Sequence, residues 1–509
     1  MKKSDYSIFK EHPKGLYALF FTEMWERFAF YTMVAIFTLY LGERFNWSAT
    51  EIGNVYGFYM ALVYFTPLLG GILADKFFGY FKTITTGAAI MFIGYGALAF
   101  PTDSVLYLYI ALSVAAIGNG MFKANISTLV GALYEGKESS LKDAAFNIFY
   151  MGINIGAFLA PLAAKEIKHL FLTLGFSLAD SYNFVFAASS LGMIISLIIF
   201  IKTKKYYIEF DISNRSADVK FESSQISRKS YWMRVLALLI VYFIVIFFWM
   251  AFHQNGFTLT LFAKNFTVRY VDRFTYSLFD TIALISLIAM GTSIFILTKE
   301  KFLLTKINKY WLAVLFISLV LFLYKLFSFD DANKIDPENF LIFNPMFIVF
   351  ITPLIILFFK YLHSKNLEPS APAKIGIGMF LAGIAFMIMV FASYNFGTIK
   401  SEIMEEHLRV SPYWLILTYL IITVAEIFLS PMGLSFVSKI APPDIKAIMM
   451  GGWFVATAIG NYLSGFIGRF YDKWQLWEFF LALAAASFFA SMLTFVSLKF
   501  INKASLSEN

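Results

Sequence analysis

The chain has 509 residues, of which 59% are hydrophobic and 15% charged, and it carries a net charge of +8 without any cysteine. With a mean hydropathy of +0.70, this composition excludes an ordinary soluble domain and indicates many membrane-spanning segments. The lack of cysteine excludes disulfides and thiolate metal sites. The positive charge could suggest a nucleic acid partner, but its distribution follows membrane topology, so we expect no such partner.

Apolar runs of sufficient length predict fourteen membrane-spanning helices. The expected spans are 16–41, 52–74, 81–101, 104–124, 143–165, 183–202, 232–262, 277–297, 310–328, 340–361, 375–394, 412–438, 446–470 and 476–500. No small-residue cleavage site follows the first run, so we interpret it as a retained helix and not as a signal peptide.

A polar stretch between the sixth and seventh spans predicts an N-terminal six-helix bundle (1–203), a cytoplasmic linker (204–231) and a C-terminal bundle (232–509). The C-terminal part has one pair of helices too many, which we assign to an inserted hairpin, 277–328. Lys and Arg concentrate in the even-numbered loops, so the positive-inside rule predicts a multi-pass inner-membrane protein with both termini in the cytoplasm. Two such bundles usually enclose a substrate site near the bilayer midplane.

Three charges lie inside the first span, where ionisable groups are expensive and persist only if they pair, face a cavity or do work. Glu23 and Arg27 are four residues apart and share a helix face, with Glu26 beside them. This pattern indicates a proton-accepting, partly paired site, although a purely structural ion network is the alternative. Lys123 is a lone cation expected at the end of the fourth span, unless it extends to the membrane surface.

The second half contains one isolated carboxylate at membrane depth, Glu426, which has no nearby cation in sequence. His253 follows Trp249 by four residues and is either functional or bonded to neighbouring backbone. The other polar or aromatic candidates at membrane depth are Tyr31, Tyr64, Asn154, Asn344, Ser430 and Trp453. Asp75 is expected in the loop between the second and third spans, where it would brace helix ends.

No motif of an enzyme is present in the sequence. There is no Walker loop for ATP and no convincing hydrolase or metalloprotease motif. We therefore expect a protein that is not an enzyme, that needs no cofactor or metal, and that draws energy from an ion or substrate gradient.

The segment Glu23-Met-Trp-Glu26-Arg27-Phe28-Ala-Phe-Tyr31 resembles the ExxER signature of proton-coupled oligopeptide transporters, a branch of the major facilitator superfamily. Further segments that resemble this family are Gly71 to Gly79, Gly118 to Ser127, Phe146 to Ala157, Glu426 to Ser435 and Gly452 to Gly465. The resemblance covers both halves and implies the superfamily's fold of two six-helix bundles, here with one inserted helix pair.

The resemblance also implies roles for individual residues. Glu23, Glu26 and Arg27, with Lys123, resemble the proton-coupling network of the family. Glu426 resembles the carboxylate that receives the amino terminus of a peptide. The remaining implied substrate contacts are Tyr31, Tyr64, Asn154, Trp249, Asn344, Ser430 and Trp453.

The chain departs from the family pattern at three points. Many members have Arg at the position of Val34 and Glu at the position of His253, and these two can pair across the outer gate. The absence of both the Arg and the Glu is physically consistent, because removing one partner alone would leave a buried charge unpaired at a cost of roughly 3–5 kcal/mol. The extra helix pair also lies after the seventh span, and not between the halves as in many bacterial members.

We therefore expect a proton-coupled symporter that imports di- or tripeptides, or peptide-like small molecules, by alternating access as a monomer in the bilayer. A related carrier of another small organic anion, amino-acid conjugate or drug-like molecule is the first alternative, and a non-transporting peptide sensor is the second. His253 is expected to serve both as a second proton site and as a contact for the substrate's carboxylate.

Overall fold

The computed structural model describes residues 12–135, 139–211, 227–299, 306–396, 406–442 and 445–506. The first seven long helices are α1 (Lys14–Phe45), α2 (Ala49–Leu73), α3 (Gly79–Leu98), α4 (Val105–Ala132), α5 (Ser139–Thr173), α6 (Leu178–Lys202) and α7 (Arg228–Phe252). Two short helices follow, α8 (Thr258–Phe266) and α9 (Arg273–Tyr276). The last seven long helices are α10 (Thr281–Lys299), α11 (Lys306–Ser328), α12 (Phe343–Ser364), α13 (Ala371–Ser393), α14 (Tyr413–Ile440), α15 (Lys446–Gly468) and α16 (Leu476–Leu506).

These fourteen long helices confirm the predicted all-helical fold class. Eleven helical stretches in the described residues are long and apolar enough to cross a membrane, and one of them, Ala49–Leu98, runs through both α2 and α3. Their exposed surfaces are rich in Phe, Leu and Ile, as expected where lipid and not water is the solvent. The protein is therefore a multi-pass membrane protein.

The described residues form two compact units. The larger unit contains α1–α7 and α12–α16 and carries every candidate site residue. The smaller unit contains α9, α10, α11 and two short antiparallel strands, β1 (Tyr270–Val271) and β2 (Asn333–Lys334). Within this smaller unit α10 packs against α11, and the Lys325 ammonium lies 3.2 Å from an Asp280 carboxylate oxygen.

Helix starts are fixed by short polar side chains that accept the unpaired N–H groups of a first turn. Ser48 and Glu51 form a reciprocal capping box at the start of α2. Asp211 caps the start of α3 from a distant part of the sequence. Its two carboxylate oxygens accept the backbone N–H groups of Tyr80 (2.8 Å) and Phe81 (3.0 Å) in the first turn of that helix. The segment after α6 is thereby attached to α3.

The structure changes three local expectations. The seventh span is not one continuous helix, because α7 ends at Phe252 and a 3₁₀ turn, His253–Gly256, separates it from α8. Lys123 is not at the end of its helix, since α4 continues to Ala132. Asp75 is not in a loop but in a π-helical turn, Ala74–Phe78, that joins α2 to α3, where it accepts a hydrogen bond from the Tyr80 hydroxyl at 3.2 Å.

The predicted linker 204–231 is only partly described. Its first residues form two short 3₁₀ turns, and α7 already begins at Arg228. Residues 212–226 of the linker lie outside the described residues, as do 300–305 between α10 and α11.

Helices α2 and α15 approach each other closely where three glycines meet. A Cβ atom at Gly465 would lie 2.1 Å from the Gly53 carbonyl oxygen and 2.7 Å from the Gly57 Cα atom, so no larger residue fits without movement. Two polar contacts secure this end of the helix pair. The Asp472 carboxylate accepts the Ala49 N–H at 2.7 Å, and the Thr50 hydroxyl donates to a backbone carbonyl near the end of α15 at 3.2 Å.

We expect Gly465→Val to force α2 and α15 apart, because overpacking against backbone costs about 1–3 kcal/mol. Size-exclusion chromatography of the detergent-extracted protein should show a lower monodisperse yield. Thermal unfolding of the same sample should show a lower apparent Tm. Gly291→Val is the matched control, since a Cβ at Gly291 meets nothing within 4 Å. Equal behaviour of the two variants would contradict the close helix contact.

Candidate functional site

The three charges of α1 form one buried ion cluster. The Arg27 guanidinium contacts both carboxylate oxygens of Glu26, with its Nη2 atom 2.7 Å from Oε1, and its Nε atom lies 3.3 Å from Oε1 of Glu23. All three side chains are at most 3% exposed. Because every charge has a partner, the cluster is tolerable at membrane depth.

A second helix joins this cluster through an amide. The Asn119 side chain of α4 donates to Oε1 of Glu26 at 3.1 Å. Glu23 differs from Glu26, because its Oε2 atom is buried and has no hydrogen-bond partner among the described residues. Of the two carboxylates, Glu23 therefore has an oxygen still able to take up a proton or a hydrogen bond.

Lys123 lies on α4 one turn after Asn119 but does not pair with a carboxylate within the described parts of the chain. Its ammonium lies over the Tyr64 ring, 4.2 Å from the ring centroid, in a cation–π contact. The expected link between α1 and α4 thus exists, but Asn119 makes it directly and Lys123 does not.

A cavity of about 130 Å³ lies in the middle of the larger unit. This volume is an order of magnitude more than one water molecule requires. Seven of the candidate site residues line it, namely Tyr31, Tyr64, Asn154, Trp249, His253, Asn344 and Glu426, and so does Val34. They come from α1, α2, α5, the end of α7, α12 and α14, so both halves of the sequence contribute to one chamber.

Two other candidates, Trp453 and Ser430, are not among the residues that line the cavity. Trp453 packs on Gly433, where a Cβ atom would lie 1.8 Å from its ring. The Ser430 hydroxyl oxygen is buried without a hydrogen-bond partner in the described residues.

The Glu426 carboxylate is held in the cavity wall by an amide. The Asn344 side-chain nitrogen donates to Oε2 of Glu426 at 2.9 Å and to the Thr423 hydroxyl at 3.0 Å. Asn154 is positioned by its own helix, since its amide donates to the Tyr150 carbonyl one turn earlier. The result is a fixed carboxylate that faces a chamber rich in aromatic side chains.

The break in the seventh span is secured by hydroxyl groups from three other helices. Thr38 donates to the Gly256 carbonyl at 2.6 Å, Tyr56 to the His253 carbonyl at 3.2 Å, and Tyr419 to the Asn255 carbonyl at 3.0 Å. A buried carbonyl without a partner is costly, so these bonds make the break possible inside the membrane. They also join both halves at one end of the cavity without any ion pair.

Sequence reasoning missed much of the apolar wall. The cavity is also lined by Phe30, Tyr56, Met60, Tyr150, Ile153, Ala157, Pro161, Phe252, Asn255, Leu341, Pro345 and Ile348. Helical spacing could have found some of them, because Tyr150 precedes Asn154 by four residues and Ile348 follows Asn344 by four. The aromatic residues carry no comparable signal in a chain with so many Phe and Tyr.

Long helices around a buried ion cluster and a central cavity have the architecture of a membrane transporter with the major facilitator type of fold. The chain belongs to the POT family of transporters, whose profile matches residues 81–229 and 327–482.

Two relatives and one solved structure extend this likeness over almost the whole chain. An uncharacterised transporter, YclF, of Bacillus subtilis (strain 168) is 33% identical over 490 residues, which cover 91% of this chain and 89% of that protein. The dipeptide and tripeptide permease A of Proteus mirabilis (strain HI4320) is 28% identical, covering 91% and 87%. A crystal structure of a mutant peptide transporter POT in complex with sulfate has a TM-score of 0.74 at 23% identity, covering 97% and 96%.

We expect Thr38→Val to lower the apparent Tm in detergent, because it leaves the buried Gly256 carbonyl unpaired at a cost of about 1–3 kcal/mol. Thr32→Val is the matched control on the same helix, since the Thr32 hydroxyl is buried and has no partner among the described residues. If both variants lower the Tm equally, the hydroxyl bond to the broken helix contributes nothing specific.

Proposed function

We propose that this chain is a proton-coupled symporter that imports small peptides, or peptide-like amines, by alternating access. The observation that carries the proposal is the Glu426 carboxylate, fixed by Asn344 in a chamber built from both halves. An ammonium group entering a low-dielectric chamber needs such a partner. The names of the relatives, which include a dipeptide and tripeptide permease, support the same substrate class.

The ion cluster of α1 is our candidate for proton coupling. Glu23, Glu26 and Arg27 hold two carboxylates against one guanidinium, so one proton balances the cluster when it binds to either acid. Lys123 and His253 are further candidates, because Lys123 has only an aromatic contact and His253 faces the chamber. A transporter that works in this way draws its energy from the proton gradient and catalyses no covalent reaction.

The proposed topology decides which end of the chamber faces out of the cell. We place both termini in the cytoplasm of the cell membrane, with bundles 1–203 and 232–509 that rock about the chamber. The contacts of α2 with α15, and of Thr38 with the broken helix, then close the outer end.

The hairpin 277–328 is proposed as a peripheral addition to a monomeric carrier. Trp453, which packs on Gly433, supports α14. The proposed direct contacts are Tyr31, Tyr64, Asn154, Trp249 and Asn344.

Uptake of labelled dialanine into proteoliposomes separates this proposal from its two alternatives. Accumulation that requires an inward proton gradient is the expected result. Saturable binding without accumulation would identify a peptide sensor instead. The absence of both binding and uptake would indicate another cargo, such as a different small organic anion or conjugate.

We expect Glu26→Gln to abolish gradient-driven accumulation and to affect counterflow exchange much less. The substitution keeps the shape of the side chain and its contact with Asn119, but it removes one carboxylate from the cluster. Proteoliposome uptake with and without an imposed proton gradient measures both modes. Undiminished accumulation in this variant would exclude Glu26 from coupling.

Glu426→Gln should weaken the binding of amine-bearing peptides by about tenfold or more, since a charge-assisted contact contributes roughly 1.5–3 kcal/mol. Binding of the corresponding N-acetylated peptides should change much less, because they have no ammonium. Thr423→Val is the matched control, as it removes a hydroxyl that also accepts from Asn344 but leaves the carboxylate. Equal losses for free and acetylated peptides would refute the assignment.

A further inference from the structure

The charges that line the chamber are unequal in sign. Glu426 is the one carboxylate among the described residues that line it, and no Lys or Arg is among them. The one lining base is His253, which carries a charge only when it holds a proton. When an ammonium binds beside an ionised Glu426, the two charges cancel. When a zwitterion binds while His253 is neutral, its carboxylate is left without a counter-charge, which is costly in a low-dielectric space.

Lys123 does not correct this imbalance. Its ammonium is held over the ring of Tyr64, and Tyr64 lines the chamber whereas Lys123 does not. A carboxylate in the chamber would have to displace this cation–π contact to reach the ammonium.

Val34 contributes only an apolar surface to the wall. It lies on α1, is 6% exposed and lines the chamber. Val34 lies between the ion cluster and the outer end of the chamber. A longer, charged side chain at this position of α1 would extend into the chamber.

His253 and Trp249 give the chamber neutral hydrogen-bonding nitrogens. The Nε2 atom of His253 and the Nε1 atom of Trp249 are buried and have no partner in the described parts of the chain. The rings that surround His253 are aromatic, with centroids at 5.7 Å for Tyr64 and 5.6 Å for both Trp249 and Phe252. Unpaired buried nitrogens of this kind are costly unless a ligand satisfies them. The Trp249 N–H and the Nε2–H tautomer of His253 are both donors, so they suit the carbonyl of an amide or ester.

We propose that the preferred cargo is a primary amine whose other end is uncharged, such as the amide or ester of a small peptide, and not a zwitterionic peptide. The ammonium binds Glu426 and Asn344, and a neutral carbonyl takes the hydrogen bonds of the His253 and Trp249 side chains. This inference rests on the proposed function and names the substrate class of the same chamber.

The test compares three ligands with the purified full-length protein at one pH, by isothermal titration calorimetry. They are dialanine amide, dialanine with its free carboxylate, and N-acetyl-dialanine amide, which lacks the ammonium. We expect dialanine amide to bind at least about tenfold more tightly than dialanine, equivalent to about 1.4 kcal/mol, and the acetylated amide to bind weakest.

A variant should reverse the preference. Val34→Arg places a cation in the chamber wall, so the ratio of the two affinities should shift by about tenfold or more toward free dialanine. Val34→Gln is the matched control, because it adds length and polarity without charge and should leave the ratio near that of the parent protein. If Val34→Arg does not fold, the ligand series on the parent protein still decides the question.

The outcomes separate this inference from the proposed function. If dialanine binds as tightly as its amide, or more tightly, the preference for an uncharged end is wrong and peptide binding stands. If neither amine binds, the proposed function fails together with the inference. An affinity ratio that Val34→Arg does not change would show that the charge balance of the chamber does not set selectivity.

Discussion

The contact between Arg27 and the two carboxylates of α1 is the constraint to which the surrounding helices adapt. A guanidinium at membrane depth cannot be left without a counter-charge, so Glu23 and Glu26 must stay within reach of it. Asn119 then fixes α4 against α1 by its bond to Glu26. With two acids and one base, the cluster has an excess of one negative charge unless it holds a proton. Because of this charge imbalance, a cluster that also holds helices together is suited to couple proton binding to transport.

One end of the chamber is closed by a different kind of interaction. Carriers that close a gate with an ion pair must strip water from both charges in each cycle, and this desolvation offsets much of the attraction. Here neutral hydroxyl groups of Thr38, Tyr56 and Tyr419 bond to carbonyls that the break at His253–Gly256 exposes. The pair of Val34 and His253 is compatible with this arrangement, because neither needs an ionic partner.

Much of the fold could be predicted because hydrophobic length and buried charge are local properties of the sequence. Fourteen helices, the paired charges of α1 and the isolated Glu426 followed from them. The break after Phe252 could not be read in this way, since its stability depends on hydroxyl groups that are distant in sequence. The position of Lys123 over Tyr64 was also hidden, because a cation–π contact between α4 and α2 has no sequence spacing. Trp453 and Ser430 were expected as substrate contacts because the family resemblance implies that role. A sequence pattern does not reveal how deep such a side chain lies, and neither residue lines the chamber.

One face of α1 connects the ion cluster, the chamber and the closed end. Arg27, Tyr31, Val34 and Thr38 follow one another at intervals of four, three and four residues, so they share a stripe along the helix. Arg27 belongs to the cluster, Tyr31 and Val34 line the chamber, and Thr38 bonds to the broken helix. A shift or rotation of α1 that follows a change of charge at Glu23 or Glu26 must therefore alter the chamber wall and the closing hydrogen bond together. Coupling between proton and cargo then requires no long relay of side chains, because a single rigid helix carries all three elements.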